Sequence, residues 1–240
     1  MESLLAEYEA ISMIAAMLMF GDINTISLSP YLASSKYELI HCDRLSTKAQ
    51  SNQTVVFLGD SITQNWQSEE LFKANSKWIN LGRGGTTAYG AAYRICGEVI
   101  PVNPSVVHVM YGTNDIAQKA GVRSLDQIAG DLAQITLSLR AYHIRVVLGS
   151  VLPTSEFPWH KGLQPAPKVI ALNAWLKSFA ASHCLVYADY WSSMANSDGG
   201  LRNEFSNDGV HPNSQGYSAM APIADRAIIA ADAKCTDNGE

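Results

Sequence analysis

The absences in this chain narrow its function before any motif does. Cysteines are few and far apart: Cys42, Cys96, Cys184 and Cys235 form no CxxC pair, which argues against a zinc site. Cys96 and Cys184 read as small core residues, and Cys235 lies in a polar tail. Four cysteines permit disulfides, but their spacing does not pair them. Basic residues are outnumbered, 17 Lys and Arg against 22 Asp and Glu, for a net charge of -5 and a pI near 5.7. No basic stripe suits a nucleic acid, and no run of like charge suggests a disordered tail. No internal repeat and no low-complexity linker divides the 240 residues.

Long apolar runs are missing too. The stretch Ile11 to Phe20 is too short to span a bilayer, and Glu2, Glu7 and Glu9 stand where a secretory leader would be basic. Stable membrane insertion is therefore not expected. An amphipathic or buried helix, packed on the domain or on a second copy of the chain, is the favoured reading. The other reading is a damaged signal or anchor, so the compartment stays open between cytoplasm and export. Residues 1–50 are expected to be a helical extension, with "YELIHCDRLSTKAQ" a helix leading into the first strand. Residues 51–232 form the main domain, and 233–240 a polar tail. Asn52-Gln53-Thr54 matches a glycosylation sequon, a pattern too common by chance to carry weight.

What is present is an alternation of short apolar runs with longer amphipathic ones. Strands are expected at 54–58, 78–81, 106–111, 144–149 and 185–188. Helices are expected near 65–74, 86–98, 124–142, 166–182 and 213–230. Runs such as "VVFLG", "SVVHVMYG" and "IRVVLGSV" are apolar at consecutive positions. Both faces of such strands must be buried, as in a parallel sheet covered by helices. One α/β sandwich with right-handed crossovers follows. The loop from 152 to 168, with four prolines, is long for a strand-to-helix connection and is a candidate functional loop.

In open parallel sheets, ligands bind beyond the carboxyl ends of the strands. The residues there are Gly59-Asp60-Ser61, then "NLGRGGTTAYG" at 80–90, then Gly112-Thr113-Asn114-Asp115, and "NDGVHPN" at 207–213 before the last helix. They supply a hydroxyl, a glycine-rich turn, an amide and an Asp-x-x-His pair, the groups that acyl transfer needs. The glycine turn lacks the Lys-Ser/Thr of a phosphate loop and the spacing of a dinucleotide fingerprint. No helix carries paired metal ligands.

These four blocks, in this order, resemble the SGNH (GDSL-type) hydrolases, a family of esterases and lipases. The matching blocks are Gly59 to Thr63, Asn80 to Gly85, Gly112 to Asp115 and Asp208 to Pro212. "VVFLGDSIT" with "NLGRGGTT" is most similar to the branch of the platelet-activating-factor acetylhydrolase catalytic subunits and related bacterial esterases. The resemblance implies a flavodoxin-like three-layer α/β/α sandwich around a five-stranded parallel sheet, with neither metal nor cofactor. It also implies Ser61 as nucleophile, His211 as base and Asp208 as orienting carboxylate. The oxyanion donors would be the backbone N–H groups of Ser61 and Gly85 and the Asn114 side-chain amide. Thr86 departs from the branch, which often has Asp after the last glycine, so loop support should differ.

Each role has a plainer competitor. Ser61 could cap a helix, Asp208 could shape an Asp-Gly turn, and His211 could be an ordinary loop histidine. Asp60 and Asp115 read as structural acceptors for loop N–H groups. Trp159, His160 and Val210 are candidate substrate contacts, and Trp191 could stack on a sugar. His108, inside a strand, reads as packed. The expected activity is hydrolysis of short-chain esters, acetyl to hexanoyl, with carbohydrate O-acetyl esters as the leading specific case. Alternatives are a lysophospholipase or thioesterase for longer chains, or a non-catalytic binding module on the same fold.

Overall fold

The computed structural model describes residues 37–42, 51–66 and 70–233. The apolar segment 11–20, residues 43–50 and Cys235 lie outside the described residues, so the helix, oligomer and tail readings there have no structural counterpart.

Five strands form one sheet: β1 (Ser51–Gly59), β2 (Trp78–Asn80), β3 (Pro104–Met110), β4 (Arg145–Gly149) and β5 (Val186–Ala188). Their order is β2-β1-β3-β4-β5, and every neighbouring pair is parallel. Side chains alternate across the sheet with period two. From β1, Val56 and Leu58 enter one core, while Val55 and Phe57 enter the other. β3 is buried along its whole length, and its mostly apolar run includes the buried polar residues Ser105 and His108.

The helices split between the two faces. On one side lie α3 (Ala88–Ala92), α5 (Leu125–Ala141) and α6 (Pro165–Ser182), which contribute Ala91, Leu132, Leu172 and Phe179 to the larger core. On the other lie α1 (Ser61–Trp66), α2 (Glu70–Ala74) and α8 (Ser214–Ala233), which contribute Ile62, Phe72 and Met220. Two single-turn helices, α4 (Thr113–Ile116) and α7 (Trp191–Met194), complete the set. α5 starts with a reciprocal capping box between Ser124 and Gln127, which satisfies two orphan N–H groups. Fully burying one Leu or Phe contributes roughly 1.5–3 kcal/mol, so both faces are well held.

An aromatic stack under β1 and β3 explains the packed histidine. His108 lies with its ring 5.0 Å from Phe57, and its Nε2 is 2.7 Å from the Tyr190 hydroxyl. Burial pushes the imidazole down to about 3, so it stays neutral there.

Four expectations are corrected. The segment before β1 is not helical over Tyr37–Cys42; it runs as irregular chain along α5. The Ile40 and Cys42 N–H groups donate to Ser138 Oγ (2.8 Å) and Tyr142 Oη (2.6 Å). Side chains thereby replace the helical partners that this backbone would otherwise need. Cys96 is not a free core thiol: it is disulfide-bonded to Cys42, with Cα atoms 5.3 Å apart. Cys184 is exposed, just past the end of α6, where φ is +55°. The helices expected near 65–74 and 86–98 are each shorter and broken, the second continuing as a π-helical turn at Ile95–Val99. Among the described residues, no helix is long and apolar enough to cross a membrane.

Candidate active site

The strand order reverses direction between β1 and β3, and such a switch point opens a crevice at the carboxyl edge. Ser61 follows β1 there, and Asn114 follows β3. Ser61 is the first residue of α1 and does not cap it. Asp60 does: its carbonyl accepts from the Gln64 N–H (2.9 Å), and its Oδ1 accepts from the Ile62 N–H (2.9 Å). The serine hydroxyl is thereby left for other work.

That hydroxyl meets His211. Ser61 Oγ lies 2.9 Å from His211 Nε2, and His211 Nδ1 lies 2.7 Å from Asp208 Oδ2. Asp208 Oδ1 accepts from the N–H groups of Val210 (2.9 Å) and His211 (2.8 Å). Burial raises the Asp208 carboxyl, but the bonds from His211 and these amides hold it down at about 2. It is therefore ionised beside the imidazole at any working pH. An anionic partner at Nδ1 fixes the tautomer that leaves Nε2 free to accept a proton.

Ser206, which sequence reasoning passed over, holds this loop. Its hydroxyl donates to His211 O (2.7 Å) and accepts from the Gly209 N–H (3.0 Å). The available signal was a serine two residues before an Asp-Gly turn. The Tyr217 hydroxyl donates to Ile62 O (2.7 Å), tying α8 to the first turn of α1.

The glycine-rich loop is fastened to α1. Asn80 Oδ1 accepts from the Gly82 N–H (2.8 Å), and its amide donates to Thr63 O (2.6 Å). Gln64 Oε1 accepts from the Gly84 N–H (2.7 Å). A Cβ on Gly82 would lie 2.2 Å from Gln64 N, so this glycine is needed for close approach and not merely for a turn. Gly84 lies beside Ser61, since its Cβ would stand 3.8 Å from Ser61 Cβ. Gly85 follows with φ +75° and is exposed. Arg94, buried beneath, donates to Leu81 O and to the Tyr111 hydroxyl, while Glu98 grips both Arg94 and Arg83.

Asn114 Nδ2 donates to Thr86 O (3.1 Å) and to Asp60 Oδ2 (3.3 Å). Thr86 therefore supports the loop through its carbonyl. Both Asp115 oxygens accept from the Ala88 N–H (3.1 and 3.0 Å). Burial pushes the Asp60 carboxyl up to about 7 and Asp115 up to about 6. Both are structural acceptors, as their sequence context suggested.

The substrate contacts sort differently. The Trp159 ring, 43 % exposed, lies 6.0 Å from the His211 ring. The Lys119 Nζ sits 5.0 Å over the same indole. His160 is exposed, and its Nδ1 lies 3.3 Å from Ala117 O, pinning the long loop to the segment after Asn114. Val210 is 1 % exposed and sits in the larger core, so it does not line the mouth. Trp191 is partly buried and packs against the same core with its Nε1 buried. Among the described residues, no group of three metal-ligating side chains gathers.

A hydroxyl, an imidazole and a carboxylate in one hydrogen-bonded chain can activate an oxygen nucleophile. A model of the GDSL-like lipase/acylhydrolase family matches residues 57–219. A GDSL-like lipase from Bacteroides thetaiotaomicron is 30 % identical, with 85 % of this chain and 98 % of that one covered and a TM-score of 0.73. A candidate acylhydrolase from Bacteroides fragilis is 32 % identical, with 87 % and 99 % covered and the same TM-score. An acetyl xylan esterase is 23 % identical over 73 % of this chain and 99 % of that one, with a TM-score of 0.60, a likeness of fold alone. No curated protein matches the chain significantly in sequence.

Proposed function

The chain belongs to the GDSL-like lipase/acylhydrolase family and is a carboxylic ester hydrolase, and on that premise we propose a serine esterase for short acyl groups, acetyl to hexanoyl, with carbohydrate O-acetyl esters as its substrates. The observation that carries the reading is the chain Ser61–His211–Asp208, closed by contacts of 2.9 and 2.7 Å. Ser61 Oγ attacks the ester carbonyl as His211 Nε2 takes its proton. The carbonyl oxygen becomes an oxyanion, met by the N–H groups of Ser61 and Gly85 and by the Asn114 amide. The C–O bond then breaks, and His211 returns the proton to the departing alcohol. Water repeats the sequence on the acyl-enzyme and frees the acid. Asn114 can turn its amide from the long bond to Asp60 toward this oxyanion; such a donor is typically worth ~3–4 kcal/mol in the transition state.

Two observations support short acyl groups on a sugar. Among the described residues, the exposed large aliphatic side chains are Val122, Ile170 and Ile229, each alone on a separate segment, so they form no shared exposed patch for a long acyl chain. Trp159 offers a flat, half-open ring beside His211, suited to the apolar face of a sugar. An acetyl xylan esterase has the same fold, though at 23 % identity that likeness does not assign this chain's substrate.

The test is hydrolysis of p-nitrophenyl esters from acetyl to dodecanoyl by the wild type and Ser61→Ala, with fluorophosphonate labelling of both. The expected result is a rate maximum at two to six carbons and loss of both activity and label in the variant. Full activity in Ser61→Ala overturns the mechanism. A maximum at long chains replaces this substrate class with a lysophospholipase or thioesterase.

A further inference from the structure

Gly85 has no side chain to hold it, so the position of its N–H follows from the residues around it. The Arg83 N–H donates to Gly59 O (3.0 Å), and Arg83 O accepts from the Thr86 N–H (3.2 Å). Gly84 and Gly85 hang between these two bonds. Gln64 fastens Gly84 from α1. A second set of bonds comes from the segment after α3. Arg94 Nη2 donates to Leu81 O (2.5 Å), and its Nη1 donates to the Tyr111 hydroxyl (3.0 Å). One guanidinium thus joins the loop that carries Gly85 to the segment that carries Asn114, three residues after Tyr111. Glu98 accepts from Arg94 Nη2 (2.8 Å) and from Arg83 Nη2 (3.0 Å), which ties the buried arginine to the loop's own arginine.

This network fixes geometry more than it adds stability. The Arg94 side chain is 7 % exposed, and a guanidinium so buried is costly unless its donors are met. The Arg83 side chain is 60 % exposed, where an ion pair contributes little to folding. Bonds between charged groups are nonetheless short and directional, and a forked guanidinium holds several partners in one plane. The bonds from Arg94 hold the Glu98 carboxyl below the ordinary carboxylate range, so the pair stays charged. Glu98 sits in the π-helical turn Ile95–Val99, and such turns are rare and recur at functional sites. Cys96, in the same turn, is bonded to Cys42, which anchors it.

We propose that Arg94 and Glu98 are positioning residues for ester hydrolysis, acting through the loop to set where the Gly85 N–H and the Asn114 amide stand around the oxyanion. The inference rests on the esterase reading above and extends it to residues outside the reacting set. Because the oxyanion exists only in the transition state and the tetrahedral intermediate, the pair acts on kcat and leaves substrate binding alone.

The experiment measures kcat and KM on p-nitrophenyl acetate, and Ki for a short-chain alkyl trifluoromethyl ketone. The ketone reads the oxyanion directly: Ser61 Oγ adds to its carbonyl carbon, His211 takes the proton, and the carbonyl oxygen becomes the oxyanion. Glu98→Gln keeps the side chain's size and removes its charge. Its kcat is expected to fall about ten- to hundredfold with KM within about twofold of wild type, and Ki should rise by the same factor. Arg94→Lys keeps the charge but loses the fork, and should behave alike. Arg83→Ala trims an exposed side chain and leaves Arg94 paired, so kcat should fall about fivefold, again with Ki and not KM. A Glu98→Gln protein with lowered Tm but kcat, KM and Ki within about twofold of wild type has lost only a structural contact, which overturns the proposal. A raised KM with kcat unchanged assigns the pair to substrate binding and overturns it too. Should Glu98→Gln and Arg94→Lys fail to fold, Arg83→Ala decides, and kcat and Ki within about twofold of wild type overturn the proposal. Loss of hydrolysis in Ser61→Ala beside unmoved Glu98→Gln kinetics would leave the esterase standing while this inference fails. Full activity in Ser61→Ala would instead remove the esterase reading, and this inference with it.

Discussion

Removing the Cys42–Cys96 bond is expected to cost about 4 kcal/mol of stability. The bridge closes a loop with a sequence separation of 54. In the chain-entropy treatment, a loop of that size restricts the unfolded chain by about 14 cal/mol/K, or about 4 kcal/mol at room temperature. The folded side should change little, because the strap has other anchors. Ile40 and Cys42 donate to Ser138 and Tyr142, Gln134 donates to Glu38 O, and Tyr37, Leu39 and Ile40 pack on the larger core. At about 2–4 °C per kcal/mol for a chain of this size, Tm should fall by about 8–16 °C. The assay is thermal unfolding of the wild type and of Cys42→Ser/Cys96→Ser, both without reductant. Alkylation of the native, unreduced protein should modify exposed Cys184 and spare Cys42 and Cys96. A Tm shift below about 2 °C, or alkylation of either bridged cysteine before reduction, would refute the reasoning.

Three further outcomes are expected. Asp208→Asn keeps an oxygen for the loop amides but removes the anion at His211 Nδ1, so kcat on p-nitrophenyl acetate should fall about 10³–10⁴-fold with the circular dichroism unchanged; a loss under tenfold would mean that other groups orient the imidazole. Gly82→Ala drives a Cβ into the Gln64 backbone, with no flexible side chain to yield, so stability should drop about 1–3 kcal/mol and kcat should fall with it; a variant as stable and active as the wild type contradicts the close approach. Asp60→Asn should change stability in a pH-dependent way. Asp60 is raised from 3.8 to about 7 by burial, so its contribution is whole below about pH 4 and is lost as pH rises through about 7. Three pKa units bound that loss at about 4 kcal/mol, and Asn has no such slope. Urea unfolding from pH 4 to 8 should therefore show the variant gaining on the wild type as pH rises. His108, lowered to about 3 in both proteins, drops out of the difference. A flat difference refutes the buried-carboxylate reading.

The strands and the site were legible for the same reason: both are written in contiguous stretches. A buried strand must be almost wholly apolar, as Val106 to Met110 are apart from His108; Ser61 and Asn114 closely follow such strands, and Asp208 and His211 share one short loop. Cysteine pairing was not legible, because Cys42 meets Cys96 only through the path of an irregular strap over α5, and no periodicity encodes that path. Cys184 misled for a related reason. It lies between a helix and a strand that are both buried, yet it occupies the left-handed position where the chain turns outward, and the apolar work passes to Leu185. Val210 shows the opposite error: proximity to His211 in sequence suggested a substrate contact, but the turn that aims the imidazole outward sends its neighbour into the core. Residues that hold the site from elsewhere, Gln64 on Gly84, Tyr217 on Ile62 and Lys119 on Trp159, belong to different elements from the groups they support. Local pattern therefore finds the side chains that meet at the candidate site, Ser61, His211 and Asp208, and misses most of the residues that hold them. What distinguishes this esterase from its relatives is therefore to be sought in those supports, which local pattern does not reveal.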